Sequence, residues 1–279
     1  MVSYYLYLLA SFGVRRIPRS MSIKIASLIA FLFYICRPGI RKNVRRNLQA
    51  LGAYETRTFD VFRYFSRTIV DFLSLDSDDP PTLHGLCNIV GLEHIDAALE
   101  NGNGAILFAP HQGPWEVAGA FLASKGYRIH SISLDHPSAQ VTRFFNKRRS
   151  AWGIIDYSPG DGVVRLLDAL RANEIIVLLI DRKFSTKGLP LTFLGWQVRL
   201  PQGHVKLSKR TGAPLIPCCC HYTKDGAIET VIERPLRGLD GSVQEIAEEC
   251  LARVETFLRS KPEQWFAFDH LWPEDDNVR

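Results

Sequence analysis

The rhythm of apolar and polar positions changes once along the chain. Before residue 75 the apolar residues come in long blocks or at helical spacing. Residues 2–14 (VSYYLYLLASFGV) form an uncharged, mostly apolar run, and residues 25–36 (IASLIAFLFYIC) form a second. Residues 61–75 place Phe62, Phe65, Ile69 and Phe72 on one helical stripe. Residues 1–75 therefore read as a helical arm. The run DSDDPPT at 76–82 is a clear break, and 235–242 is another. Beyond the first break, short apolar runs alternate with helical stretches. Residues 105–109, 128–134, 175–180 and 215–220 read as strands, and the continuous run IIVLLI at 175–180 suits the centre of a parallel sheet covered on both faces. Residues 115–125, 162–172, 202–211 and 242–259 read as helices between and after them. This alternation predicts an α/β fold: a mostly parallel central sheet flanked by helices in residues 76–279, with the helical arm 1–75 in front of it.

Charge sharpens the picture of the arm. Residues 1–54 contain nine basic residues and no acid, since the first carboxylate is Glu55. The rest of the chain holds 25 basic residues against 29 acids, so the overall +5 hides a cationic arm on a mildly acidic body. Such an arm seeks an anionic surface. Each apolar run would make a helix of roughly 20 Å, short of a ~30 Å hydrocarbon core. Apolar segments punctuated by arginine fit helices lying in a membrane interface, with the cations on lipid phosphates. Buried helices of a soluble core are the plainer alternative. The runs lack the polar and aromatic interleaving of a nucleic-acid reader, so no nucleic acid is expected. Excess Arg and Lys keeps the flanks of inserted segments cytoplasmic, so a peripheral or monotopic place on the cytoplasmic face of a membrane is expected.

Negative findings narrow the chemistry. The six cysteines include no C-x-x-C, and Cys218, Cys219 and Cys220 are consecutive, so reduced thiols are the simplest reading. The histidines form no H-E-x-x-H and no ligand cluster readable in one dimension, so no metal is expected. No G-x-S-x-G appears, which argues against an α/β-hydrolase.

The densest chemical signal is APHQGPWE at 109–116, directly after one expected strand and opening a helix. Loops at the carboxyl ends of parallel strands are where α/β sheets place ligands. On one continuous helix His111 and Glu116 would diverge by about 140°. With His111 in the preceding turn, its ring can fold back onto the Glu116 carboxylate. That carboxylate would fix the tautomer and leave the other nitrogen to take a proton from a hydroxyl. The bland alternative is a helix-start histidine followed by a first-turn acid favoured by the helix dipole. Asp181 ends the run 175–180 and precedes Arg182 and Lys183, with which it can simply pair.

Residues 104–116 (GAILFAPHQGPWE) resemble the H-x-x-x-x-E signature of the bacterial lipid A biosynthesis acyltransferases, a branch of the lysophospholipid acyltransferase superfamily. His111, Gly113, Trp115 and Glu116 match its common form, while Gln112 and Pro114 depart from it. Further pieces agree in order: GLEHID at 91–96, NKRRS at 146–150, LID at 179–181, LTFLG at 191–195, KRTGAPLIP at 209–217 and PEQW at 262–265. The DHLW at 269–272 departs from the family's basic ending. The resemblance implies transfer of a fatty acyl group from a thioester, on acyl carrier protein or coenzyme A as co-substrate, to a hydroxyl of a membrane glycolipid or lipid A precursor. No other cofactor is implied. It gives His111 the role of general base and Glu116 that of its partner. It places a functional arginine at Arg148 or Arg149 and a functional aspartate at Asp181, all three on the substrate side. The two departures at 112 and 114 suggest an altered acceptor. A thioester or ester hydrolase, and a non-catalytic lipid-binding protein, are the alternatives on the same fold.

Overall fold

The computed structural model describes residues 2–75, 85–182, 188–237 and 240–272. Four helices come first: α1 (Val2–Val14), α2 (Arg19–Cys36), α3 (Pro38–Ala50) and α4 (Thr58–Ser74). The chain then runs β1 (Cys87–Val90), α5 (Glu93–Leu99), β2 (Ala105–Ala109), α6 (Trp115–Ser124), β3 (Ile129–Ile132), α7 (Ala139–Ala151) and β4 (Ile154–Tyr157). It continues through α8 (Pro159–Arg171), β5 (Ile175–Leu179), β6 (Pro190–Phe193), β7 (Trp196–Arg199), α9 (Gly203–Thr211), β8 (Leu215–Tyr222), β9 (Ile228–Ile232) and α10 (Val243–Ser260). A single 3₁₀ turn, Pro262–Gln264, follows.

Seven strands form one sheet in the order β1-β9-β8-β2-β5-β3-β4. The five from β8 to β4 are parallel, and β9 turns back antiparallel to β8. All five residues of β2 are buried, as an uninterrupted AILFA run on the sheet axis requires. The α/β class is thus the one expected. The strands β1, β4, β9 and the β6–β7 hairpin go beyond the four expected, because four- and five-residue segments with mixed polarity carry little periodic signal. The apolar run at 25–36 proves to be the C-terminal two thirds of a longer helix, which continues back to Arg19 through polar serines. The break expected at 76–82 lies outside the described residues.

Local chemistry fixes the ends of several elements. Ser242 and Glu245 form a reciprocal capping box at the start of α10 (3.2 and 2.7 Å). Between β2 and α6 the chain passes Gly113 at a φ of 58°, where a Cβ would stand 2.3 Å from the Cys220 carbonyl oxygen. No other residue type fits that approach.

The four N-terminal helices are fastened to the sheet by polar as well as apolar contacts. Asp71 of α4, 2% exposed, receives Arg19 of α2 in a fork (2.6 and 2.8 Å) and the Tyr222 hydroxyl of β8 (2.6 Å). Asn47 of α3 donates to the carbonyls of Ala267 and Asp269 (2.9 and 3.1 Å). The outer faces of α1 and α2 are apolar and open: Leu9 is 67% exposed and Ile29 62%. By length and composition α2 is the one helix among the described residues able to cross a membrane.

Candidate active site

The register of two neighbouring strands builds the site. Ala109, the last residue of β2, lies opposite Leu179, the last of β5. Two residues further along each strand come His111 and Asp181, at the carboxyl edge of the parallel sheet. His111 Nδ1 lies 2.6 Å from Asp181 Oδ1. The His111 backbone N–H also donates to both carboxylate oxygens (3.0 and 3.1 Å). The Trp265 indole N–H donates to Oδ2 at 2.8 Å. Asp181 is fully buried, yet its oxygens are all engaged by donors.

The ionisation states follow from this environment. Burial pushes the His111 imidazolium down in pKa, and the pull of Asp181 offsets it only in part, so the ring is held below the ordinary histidine value. Burial would raise the Asp181 carboxyl, but His111, then Arg182 and the Trp265 N–H, hold it below the usual carboxylate range. The pair is therefore a neutral imidazole on an ionised aspartate near neutral pH. With Nδ1–H given to the carboxylate, the lone pair is on Nε2. The His111 side chain retains 12% exposure.

This corrects the expected pairing of His111 with Glu116. Glu116 sits in the first turn of α6 and turns towards α7, where Arg149 takes it in a bidentate grip (Nη2–Oε1 2.5 Å, Nε–Oε2 3.0 Å). Arg149 also donates to Asp156 Oδ2 (2.9 Å) and Ser133 Oγ (2.8 Å). Burial opposes the Arg149 charge, but Glu116 and Asp156 outweigh it and raise its pKa. Glu116 remains close enough for its charge to be felt at the imidazole. Of the two arginine candidates, Arg149 belongs to this cluster. Arg148, one residue earlier and about 100° round α7, serves the other side. Its guanidinium donates to the Leu73 and Leu75 carbonyls (3.1 and 3.3 Å) and to Ser11.

The C-terminal segment closes the back of the site. Phe266 N–H donates to the His111 carbonyl, and Gly113 N–H to that of Gln264 (both 2.9 Å). Arg182 reaches the Phe266 carbonyl. The Trp115 ring stands edge-on to the imidazole at 5.5 Å and meets Phe266 at 5.9 Å. Among the described residues no group of three or more His, Cys, Asp or Glu is placed to hold a metal ion.

His111, bonded to Asp181, thus lies at the carboxyl edge of the parallel sheet. The sequence profile of the bacterial lipid A biosynthesis acyltransferases matches residues 1–274, nearly the whole chain. The chain belongs to that family. The phosphatidylinositol mannoside acyltransferase of Mycobacterium tuberculosis H37Rv is 30% identical over 191 residues, which is 67% of this chain and 60% of the relative. The enzyme of the same description from Mycolicibacterium smegmatis is 26% identical over 273 residues, 94% of this chain and 88% of the relative. The lipid A biosynthesis acyltransferase of Haemophilus influenzae is 25% identical over 178 residues, 63% and 56% of the two chains. The chain thus spans about 60% of the length of the M. tuberculosis relatives it matches.

Within this acyltransferase family, the departure at Gln112 acquires a structural meaning. Its side chain is 1% exposed and donates to the Phe257 and Lys261 carbonyls at the end of α10 (2.9 and 3.2 Å). It satisfies helix-end carbonyls, and Pro114 is buried as well. Neither forms the mouth of the site. Asp181 as the partner of His111, Trp265 as its second donor, and Asp156 as the second acceptor for Arg149 were not readable as such. The visible signal for the first was that 105–109 and 175–180 are both apolar runs, with His111 two residues after the one and Asp181 directly after the other.

Proposed function

We propose that the protein transfers a fatty acyl group from a thioester to a hydroxyl of a membrane glycolipid, with His111 as general base. The observation that carries this reading is the Asp181–His111 pair, with Nδ1 on the carboxylate and the ring partly exposed. The acceptor class is taken from the relatives, whose names cite phosphatidylinositol mannoside and lipid A. The donor is an acyl carrier protein or coenzyme A thioester. In the proposed step Nε2 accepts the hydroxyl proton as the oxygen attacks the thioester carbonyl. The C–O bond forms, the C–S bond breaks, and the imidazolium returns its proton to the departing thiolate. Asp181 stabilises the transient imidazolium and holds the tautomer. Glu116, fixed by Arg149 and Asp156, presents carboxylate lone pairs beside the reacting centre and is suited to accept hydroxyls of a sugar-bearing acceptor.

Aromatic packing in the core links the apolar N-terminal helices to the site. Rings touch in sequence from α2 to the imidazole: Tyr34 to Phe62 (5.3 Å), Phe62 to Phe268 (5.3 Å), Phe268 to Phe65 (4.9 Å), Phe65 to Phe266 (5.3 Å), then Trp115 and His111. These rings lie under α2, whose outer face carries the exposed Leu28, Ile29 and Leu32. We infer that α1 and α2 lie in the cytoplasmic leaflet of the inner membrane, their apolar faces in the acyl region and their arginines at the phosphates. The test supplies purified protein with an acyl thioester, with and without a glycolipid acceptor, and weighs the products. Acylated glycolipid supports the reading. Free fatty acid at the same rate without acceptor would make it a hydrolase. Binding without turnover would leave a lipid-binding protein.

A further inference from the structure

Three consecutive residues reach both halves of the dyad. The Gln264 carbonyl accepts the Gly113 N–H, the Trp265 indole N–H holds Asp181 (2.8 Å), and the Phe266 N–H holds the His111 carbonyl. These residues belong to no strand of either sheet. Their tie to β8 runs through one side chain. Gln264 Oε1 accepts the Tyr222 N–H (2.7 Å), and Gln264 Nε2 donates to the Tyr222 carbonyl (3.0 Å). An opposite residue on an antiparallel neighbour would exchange the same two bonds with Tyr222. β2 does not extend that far along β8, since their pairing ends at Pro217. The amide therefore does the work of a missing strand. Gln264 is 1% exposed, and the Tyr222 it grips is itself fixed by the bond from its hydroxyl to Asp71 (2.6 Å).

We propose that Gln264 is a positioning residue for the Asp181–His111 pair: its amide fixes residues 264–266 on β8, and they in turn aim the carboxylate and the imidazole. The residue type is dictated by the two bonds. An ionised glutamate has no N–H for the Tyr222 carbonyl, asparagine is one methylene short, and methionine leaves both main-chain groups of Tyr222 unpaired in the interior. Asp181 Oδ2 takes its shorter bond from Trp265 (2.8 Å) and its longer one from the His111 N–H (3.1 Å). If Trp265 moves off, the carboxylate can turn, and its bond to Nδ1 no longer selects one tautomer. A displacement of about 1 Å at a reacting group can cost on the order of 10²-fold in rate. Gln264 is sealed from any substrate, so the loss falls on kcat. For this kinetic consequence the proposal rests on His111 as general base; for the state of the imidazole it does not.

The experiment labels the ring nitrogens of histidine with nitrogen-15 in the full-length protein and records those of His111 by NMR, assigned by their loss in His111→Gln. In the parent, Nδ1 should read as protonated and Nε2 as bare. In Gln264→Met the two signals should move towards the average of exchanging tautomers, and in Gln264→Asn part of the way. Acyl transfer should lose about tenfold or more in kcat in Gln264→Met, with KM for both substrates within about twofold of the parent. In a Trp265→Phe background, which has already lost the indole donor, Gln264→Asn should cost far less than in the parent, because the two act in series. Unchanged ring signals and kcat in a Gln264→Met protein of lower melting temperature would make Gln264 a clamp for the fold alone and overturn the proposal. Fully additive losses in the double variant would overturn it too. Should Gln264→Met fail to fold, the same readings on Gln264→Asn decide. Altered ring signals with an unaltered kcat would keep Gln264 as the residue that positions the pair and take His111 out of the reaction.

Discussion

Nδ1 of His111 lies 2.6 Å from Oδ1 of Asp181, although 70 residues separate the two in the chain. The relationship makes Asp181, and not the nearer carboxylate in sequence, the group that sets the tautomer. Asp181→Asn keeps the shape of the side chain but offers the ring an amide that can donate, so the wrong tautomer becomes accessible. Acyl transfer should fall by about 10²–10⁴-fold in kcat, as should that of His111→Ala. Steady-state rates on the purified, folded variants check this. Rates within a factor of a few of the parent would remove the dyad from the mechanism.

The same pair dictates the pH profile. Its neutral imidazole is lost as pH falls through a pKa that burial holds below the ordinary histidine value. Activity should therefore persist below the pH at which a free histidine titrates and decline on the acid side of it. Arg182 lowers the His111 pKa, so Arg182→Gln should move the acid limb to higher pH. Both His111 and Asp181 have folded values below their unfolded ones. Their contribution to stability is thus present above the unfolded values and drains away as pH falls through the folded ones. A pH–rate profile of parent and variant reads the first effect, and melting temperature against pH the second.

Sequence alone conveyed the α/β class, and it singled out the motif at 109–116 and Asp181. It did not convey who touches whom. The pairing of His111 with Asp181 depends on β2 and β5 being neighbours in the sheet, with β3 and β4 lying beyond β5. Strand order is decided by how helices pack over the two faces, which no one-dimensional pattern records. Glu116 fitted an imidazole by spacing, but a better donor for it, Arg149, arrives from a helix whose apolar stripe is interrupted by Lys147, Arg148 and Arg149. Trp265 was visible only as part of a matching segment. Its role depends on the 110–113 loop pairing with the chain after the last helix.

The Glu116–Arg149–Asp156 cluster should be a structural liability when broken from the middle. All three side chains are at most 14% exposed. Arg149→Gln leaves two partly buried carboxylates without their cation and should cost about 3–5 kcal/mol. Glu116→Gln leaves Asp156 to balance Arg149 and should cost less. Denaturant unfolding of the two variants and of the double variant gives the coupling. Equal, small losses would show that the grip is incidental.

Arg19 makes a comparable bond at a distance from the site. Removing it leaves Asp71 with the Tyr222 hydroxyl and a more distant Arg67 guanidinium at 3.9 Å. Arg19→Ala should cost about 1–3 kcal/mol and speed amide exchange in α2 more than in β2 or β5. Uniform exchange rates across these elements would mean that α2 is held by its apolar contacts alone.

Membrane seating is tested without dismantling the fold. Leu9→Glu and Ile29→Glu change side chains that already face outward, so the melting temperature should hold. Sedimentation with vesicles containing phosphatidylglycerol should drop for each variant, and for the parent as salt rises. Undiminished sedimentation of both variants would place the membrane contact elsewhere.

The matched ends of β2 and β5 also constrain how such a chain can change length. Side chains alternate faces along a strand, so one residue gained or lost within 105–111 or 175–181 would turn either the imidazole or the carboxylate to the opposite side of the sheet. Insertions in the exposed turn at 100–103, ahead of β2, leave this register intact, whereas those at the finishing ends are ruinous. Lengthening confined to the starting rim is therefore the pattern of growth this architecture permits.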